Sequence, residues 1–253
     1  MKRTLLVLSL AAGIASVATA KDYLIVGNSA TASRGATLHS VDSGDLAQPG
    51  LYLNMGATGT AGSTPIEPIQ VNNEIWVTDQ VADRIDIFNL LGVFKRSITG
   101  GMDNIRGLAF ANNTVYVAND GTGNGAPADS IIMFDASGLP LGNFPVTGSS
   151  PFDIYDDGAS LLITDSTTHE IRRYSYAGVD QGLFHAGAIR FPQQIHRRSN
   201  GNYLIAGFSL PSAVYEYDSS GTQLATYAAG FGGRSGFELG NGDRLVDRQR
   251  ADA

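Results

Sequence analysis

The feature that most constrains this chain is an apolar strand that keeps returning. Tyr23-Leu24-Ile25-Val26-Gly27 is echoed by Ile75-Trp76-Val77-Thr78-Asp79, Val115-Tyr116-Val117-Ala118-Asn119, Leu161-Leu162-Ile163-Thr164-Asp165 and Tyr203-Leu204-Ile205-Ala206-Gly207. Anchored on Trp76, Tyr116, Leu162 and Leu204, the steps are 40, 46 and 42 residues; the step from Leu24 to Trp76 is 52. A second strand follows each echo, as in Ile85-Asp86-Ile87-Phe88-Asn89 and Val214-Tyr215-Glu216-Tyr217-Asp218. A glycine comes two or three residues later (Gly44, Gly92, Gly138, Gly178, Gly221), where a hairpin needs a positive φ.

A third strand follows that glycine, as in Leu141 to Phe144. Another precedes each echo: Ile66 to Val71, Ile105 to Phe110, Pro151 to Tyr155 and Pro192 to His196. The unit is therefore four strands, a to d, every 40–46 residues. Four antiparallel strands at that period, rich in β-branched and aromatic residues, predict an all-β chain built as a β-propeller. No segment keeps a 3.6-residue apolar period over ten residues, which excludes a helical solenoid.

The ends decide how such a ring closes. The chain enters at a b strand, so the first blade lacks a strand a of its own. Ser235-Gly236-Phe237-Glu238-Leu239 reads as a strand a that would complete it, giving five blades closed between the termini. Gly242-Asp243-Arg244-Leu245-Val246 disturbs this, because it repeats Gly201-Asn202-Tyr203-Leu204-Ile205 and begins another b strand. The alternative is a truncated six- or seven-bladed propeller. The expected division is a leader over 1–20, a propeller over 21–246 and an irregular tail over 247–253.

The leader rests on Lys2 and Arg3, the apolar run Leu5 to Val17 and the small-residue cleavage site Ala18-Thr19-Ala20. It predicts export to the periplasm or the extracellular space. Losing Lys2 and Arg3 takes the net charge from −7 to −9. An acidic chain without a basic cluster is not built for nucleic acid or for an anionic membrane. With no cysteine there is no disulfide, thiolate zinc site or Cys nucleophile.

Asp165-Ser166-Thr167-Thr168-His169-Glu170-Ile171, followed by Tyr174, resembles the NHL repeat, whose signature runs Asp-x-x-Asn-His-x-Ile; Thr168 stands for the asparagine. Thr78 to Ile85 is a looser copy, and Asn119 and Gly207 depart further. The resemblance implies that Asp79, Asn119, Asp165 and His169 are structural loop residues that tie one strand to the next. In a propeller the a strands line a central channel, with the d–a and b–c loops around one mouth. Polar groups from several blades converge there. The candidate binding residues are the starts of the a strands: Glu67, Arg106, Asp153, Gln193 and Gln194.

The chain is also distantly similar to gluconolactonase-like and regucalcin-like propellers. Those hold a divalent metal through Glu, Asn and Asp, each two residues before the first core residue of a strand a. Here these positions are Glu67, Arg106, Phe152, Gln193 and Ser235, so only Glu67 matches. Asp153, one residue off, keeps a metal-dependent lactonase-like hydrolase as an alternative. No Gly-x-Ser-x-Gly elbow and no His-Glu-x-x-His spacing is present, so no catalytic residue is assigned. Asp120-Gly121-Thr122-Gly123-Asn124-Gly125 reads as a glycine-rich b–c loop, because Thr122 and Ile131 are poor calcium ligands. The expectation is a monomeric, exported, non-catalytic binding module. It would take a protein, peptide or glycan through the loops at its channel mouth, with no cofactor and no membrane insertion of the mature chain. The alternatives are the metal-dependent hydrolase and a truncated remnant.

Overall fold

The computed structural model describes residues 5–10, 21–28, 35–40, 51–55, 64–187, 189–230, 232–239 and 242–248. Four consecutive sheets, the second to the fifth along the chain, are antiparallel and four-stranded, each in simple meander order. The second contains β5 (Pro65–Val71), β6 (Glu74–Asp79), β7 (Arg84–Asn89) and β8 (Phe94–Thr99). The third contains β9 (Ile105–Ala111), β10 (Thr114–Asn119), β11 (Ser130–Asp135) and β12 (Pro140–Pro145). The fourth contains β13 (Pro151–Asp156), β14 (Leu161–Asp165), β15 (Glu170–Tyr174) and β16 (Asp180–Ala186). The fifth contains β17 (Pro192–Arg197), β18 (Tyr203–Gly207), β19 (Ala213–Tyr217) and β20 (Gln223–Tyr227). Before them, β1 (Leu5–Leu10), β2 (Lys21–Asn28), β3 (Gly35–Ser40) and β4 (Leu51–Asn54) pair in the same order. After them, β21 (Gly233–Glu238) and β22 (Arg244–Arg248) form a two-stranded sheet.

The four-strand unit follows from local chemistry. From β7–β8 to β19–β20, each hairpin between the third and fourth strand starts with an acceptor side chain that bonds the turn it opens: Asn89, Asp135, Ser175 or Asp218. Asp135 Oδ1 accepts from the N–H groups of Ser137 (2.8 Å) and Leu139 (2.9 Å); Asp218 Oδ1 accepts likewise from Ser220 and Thr222 (both 2.9 Å). Gly138 and Gly221 then take φ of 95° and 84°, open to glycine at no steric cost.

The core lies between blades, not within one. Trp76, Ile85 and Ile87 pack with Leu108, Val115 and Val117 of the next sheet. Ala109, Tyr116 and Phe144 pack with Ile154, Leu161 and Tyr174 of the one after. The second strands β6, β10, β14 and β18 are buried on both faces and read as nearly continuous apolar runs, while the outermost strands β8, β12, β16 and β20 are largely exposed. Successive innermost strands β5, β9, β13, β17 and β21 stand side by side around an axis.

Two expectations about the ends are corrected. The five-blade ring closed between the termini is not supported. Gly233–Glu238 pairs with Arg244–Arg248 in a sheet of its own, from Glu238↔Arg244 to Gly233↔Arg248. The first sheet takes its inner strand from Leu5–Leu10, with Leu5↔Val26 and Leu10↔Lys21. The physical reason is local: Gly242-Asp243 turns the chain straight back, so β21 finds its partner a few residues on. Arg244–Arg248 also carries strand two residues into the stretch expected to be an irregular tail; residues 249–253 lie outside the described residues, as does most of the expected leader.

Candidate functional site

The inner strand of each blade has one hydrogen-bonded neighbour and one edge turned to the channel. Those inward N–H groups need acceptors. Glu67 and Asp153 supply two of them. Leu108 N–H donates to Glu67 Oε2 at 2.9 Å, and Ile195 N–H donates to Asp153 Oδ2 at 2.7 Å. Each carboxyl thus reaches from its own blade to the next.

A bulge at the start of the inner strands β5, β9, β13, β17 and β21 sets which side chain does this. Register breaks between Pro65 and Pro68, Pro151 and Ile154, Pro192 and Ile195, and Gly233 and Gly236. Pro68, Leu108, Ile154, Ile195 and Gly236 are therefore equivalent, facing Val77, Val117, Ile163, Ile205 and Val246. The residues before them, Glu67, Gly107, Asp153, Gln194 and Ser235, share one position. Sequence spacing had grouped Glu67 with Arg106, Phe152 and Gln193; the bulge moves these one place toward the mouth and brings Asp153 level with Glu67.

Gly107 stands between the two acids. A Cβ there would lie 2.6 Å from Asp153 Cα, 2.7 Å from Phe152 O and 2.8 Å from Asp153 Oδ1. The bare glycine lets the two carboxyls meet across it. Burial first, and then the charge and hydrogen bond of Asp153, push the Glu67 carboxyl well above its ordinary 4.5. Burial raises Asp153 as well, while the Glu67 bond and the Ile195 N–H hold it back. Two bare carboxylates so close together would repel, so the pair is expected to hold one proton, on Glu67, the more strongly raised of the two. This donor set does not fit the divalent metal of the lactonase-like alternative. Each acid already accepts a backbone N–H, the equivalent position between them is glycine, and no cluster of three His, Cys, Asp or Glu occurs among the described residues.

Below the pair, toward the a–b turns, the channel widens into a cavity of about 260 Å³. Glu67 closes its inner end, and its wall includes Phe110, Tyr155, His196 and Phe237. His196 and Phe237 stack with ring centroids 4.0 Å apart. Burial, only partly opposed by the charge of Glu238, holds the His196 imidazole down at about 4, so it is neutral at pH 7. Burial carries the Tyr155 phenol up to about 12.

Above the pair, the mouth carries an arc that crosses four sheets. The Arg106 guanidinium lies 5.3 Å from the Phe152 ring centroid, Phe152 is 6.1 Å from Phe191, Phe191 is 5.8 Å from Phe208, and Arg234 sits 4.7 Å over Phe208. Arg106 is fixed from the other side by Asp120 Oδ2 (2.7 Å) and Ser150 Oγ (2.8 Å). Phe191 holds φ at 53°, a conformation a bulky residue keeps only under constraint. The constraint is His169, whose Nδ1 accepts the Phe191 N–H at 3.1 Å. Beneath the arc Gln193 is fully buried, with Oε1 accepting from Arg234 Nη1 at 3.2 Å and Nε2 left without a partner. Ser235 Oγ is buried and unbonded too, and Gln194 is buried beside them. Buried polar atoms left unpaired at a channel mouth are where water or ligand groups are needed.

The loop residues knit the same end together. Asp165 Oδ2 accepts from Ser149 and Ser150 N–H (2.9 and 3.0 Å), and Oδ1 from Thr167 and Thr168 N–H (2.9 and 2.7 Å). These bonds outweigh burial and hold its carboxyl below the ordinary range. Asp79 Oδ1 accepts from Thr64 N–H (2.8 Å), and Asn119 Oδ1 from Asp103 N–H (2.8 Å). Each closes the b–c loop onto the preceding d–a loop.

The sequence pointed to Glu67, Arg106, Asp153, Gln193 and Gln194 as channel residues, and the structure puts all five on inner strands. It divides them: Glu67 and Asp153 meet at the waist, while Arg106 and Gln193 belong to the mouth. Phe191, Phe208 and Arg234 were missed, as were Tyr155, His196 and Phe237. An isolated glycine inside a strand, Gly107, was the one available signal of a close approach.

No family model and no curated protein matches the sequence. Solved structures do. A protein of unknown function from Bacteroides caccae superposes with a TM-score of 0.61 at 14% identity, over 100% of this chain and 85% of that one. A catalytically inactive virginiamycin B lyase from Staphylococcus aureus, with quinupristin, gives 0.59 at 14% identity, over 99% and 90%. The WD40 propeller domain of Doa1 gives 0.54 at 14% identity, over 72% and 56%. Likeness at this identity shows the β-propeller fold and nothing finer.

Proposed function

We propose that the chain is an exported, non-catalytic binding module that takes a peptide or glycan at its channel mouth. The observation that carries this is the arc Arg106–Phe152–Phe191–Phe208–Arg234 over the unpaired Gln193 Nε2 and Ser235 Oγ. Aromatic faces flanked by guanidinium groups suit a ligand that stacks and accepts hydrogen bonds. The left-handed Phe191, braced by His169, fits a surface held ready before binding. Among the described residues, no nucleophile at the mouth is hydrogen-bonded to a base.

The test is a peptide and oligosaccharide array probed with the folded chain and with Phe208→Ala, a half-buried b–c loop residue outside the core clusters. A ligand whose affinity falls at least tenfold in the variant supports the mouth. Equal binding by both proteins moves the site elsewhere. Export rests on Lys2, Arg3, the apolar run and Ala18-Thr19-Ala20. The exported product then has the intact mass of a chain starting at Lys21, and cleavage takes Leu5–Leu10, the inner strand of the first sheet, with it; a mass that retains Met1 refutes the cleavage.

A further inference from the structure

We propose that the cavity on the far side of the waist is a second site, built for a small organic ammonium ion that docks against Glu67 inside an aromatic wall. This site is separate from the mouth and does not rest on the reading given for it.

About 260 Å³ holds a small molecule and little more. No lysine or arginine is among the lining residues, and the two carboxyl side chains that reach it are Glu67 and Asp156. Phe110, Tyr155 and Phe237 present rings, and neutral His196 adds a fourth without a competing positive charge. Ring faces and carboxylates attract a cation together, and both gain strength where water is excluded. An anionic ligand would meet only repulsion there, and a wholly apolar one would leave Glu67 unanswered.

The waist gives the cation its counter-charge. Glu67 is part-exposed, and the exposed part opens on the cavity. Its Oε2 accepts the Leu108 N–H, and its other neighbour is the Asp153 carboxyl, which raises it further. The titratable groups that face Glu67 are Asp153 across Gly107 and, in the cavity, Tyr155, Asp156 and His196. Asp156 Oδ1 is already engaged by the Tyr176 hydroxyl at 2.6 Å. A bound ammonium supplies the positive charge that the proton supplies in the empty site, so the pair ionises fully and one proton leaves to solvent. Binding is coupled to proton release and strengthens as pH rises toward the amine's own deprotonation.

The probes are 2-phenylethylammonium, the uncharged 2-phenylethanol and the anionic phenylacetate, titrated calorimetrically into the full chain at pH 7 in two buffers of different ionisation enthalpy. The expected order is ammonium at least tenfold tighter than alcohol, with no binding of the acid. The ammonium heat should also differ between buffers by about one proton's worth. Glu67→Gln, which keeps an acceptor for the Leu108 N–H, should lower ammonium affinity at least tenfold, spare the alcohol and abolish the buffer dependence. Tyr155→Leu leaves the carboxyl pair alone and serves if the first variant fails to fold; it should weaken the ammonium several-fold. Alcohol binding as tight as the amine, ammonium affinity unchanged in Glu67→Gln, or no ammonium binding at millimolar concentration overturns the proposal. None of these results bears on the mouth, which Phe208→Ala tests separately.

Discussion

Gly107→Ala destabilises the protein by about 3 kcal/mol, the upper end of what one inserted methyl does in a packed interior. The new Cβ meets Asp153 Cα at 2.6 Å and Phe152 O at 2.7 Å. Both are backbone atoms, so no flexible side chain can swing away to make room. The neighbouring inner strands β9 and β13 must separate, and with them the between-blade packing of Ala109 against Ile154. Urea unfolding reads the loss as a lower midpoint at unchanged slope. A change below about 0.5 kcal/mol, the range of surface substitutions, would mean the two strands are not in close contact. Parting them also draws Glu67 away from Asp153, so the same variant should bring the Glu67 carboxyl down toward its ordinary value.

Glu67→Gln makes stability less dependent on pH. A carboxyl raised in the folded state binds its proton more tightly there than in the unfolded chain. Its stabilisation is complete below the unfolded value of 4.5 and is lost as pH climbs through the higher folded value. Within that window one proton sets a limiting slope of about 1.4 kcal/mol per pH unit. The glutamine has no proton to lose, so Glu67's share of the decline disappears, while the share that burial gives Asp153 stays. His196 works in the opposite direction: held at about 4 against an ordinary 6.5, it adds stability as pH rises between those values. Glu74, brought to about 2 chiefly by its bond with Arg96, costs stability only as pH falls below 4.5. Both terms are common to the two proteins and cancel in their difference. A wild type and a Glu67→Gln whose stabilities run parallel from pH 5 to 9 would remove Glu67 from the account.

The repeat was legible because each blade is a local meander whose turns announce themselves, as Asp135-Ala136-Ser137-Gly138 and Asp218-Ser219-Ser220-Gly221 do. Which distant strand completes the first sheet was not. Leu5–Leu10 and Gly233–Glu238 are both extended and partly apolar, and no local signal ranks two non-local partners for the same edge. The channel residues were legible as charged and amide groups at the starts of inner strands. Their grouping was not, because a bulge adds one residue ahead of the core position without marking the sequence. That single residue separates Arg106, which turns to Asp120 and Phe152, from Gly107, which opens the waist. Phe191 was the least readable of all: a left-handed phenylalanine is held by His169, 22 residues away in the chain.

The central claim is that the waist of the propeller is closed by a carboxyl pair holding one proton, with a binding mouth on one side and an electronegative cavity on the other. The most direct measurement is a carbon-13 titration of the Glu67 side-chain carboxyl in the folded chain, assigned by its loss in Glu67→Gln. The account predicts a midpoint well above the ordinary 4.5, with Asp153 responding in the same pH range. A Glu67 resonance that titrates at or below 4.5, with no response from Asp153, contradicts it.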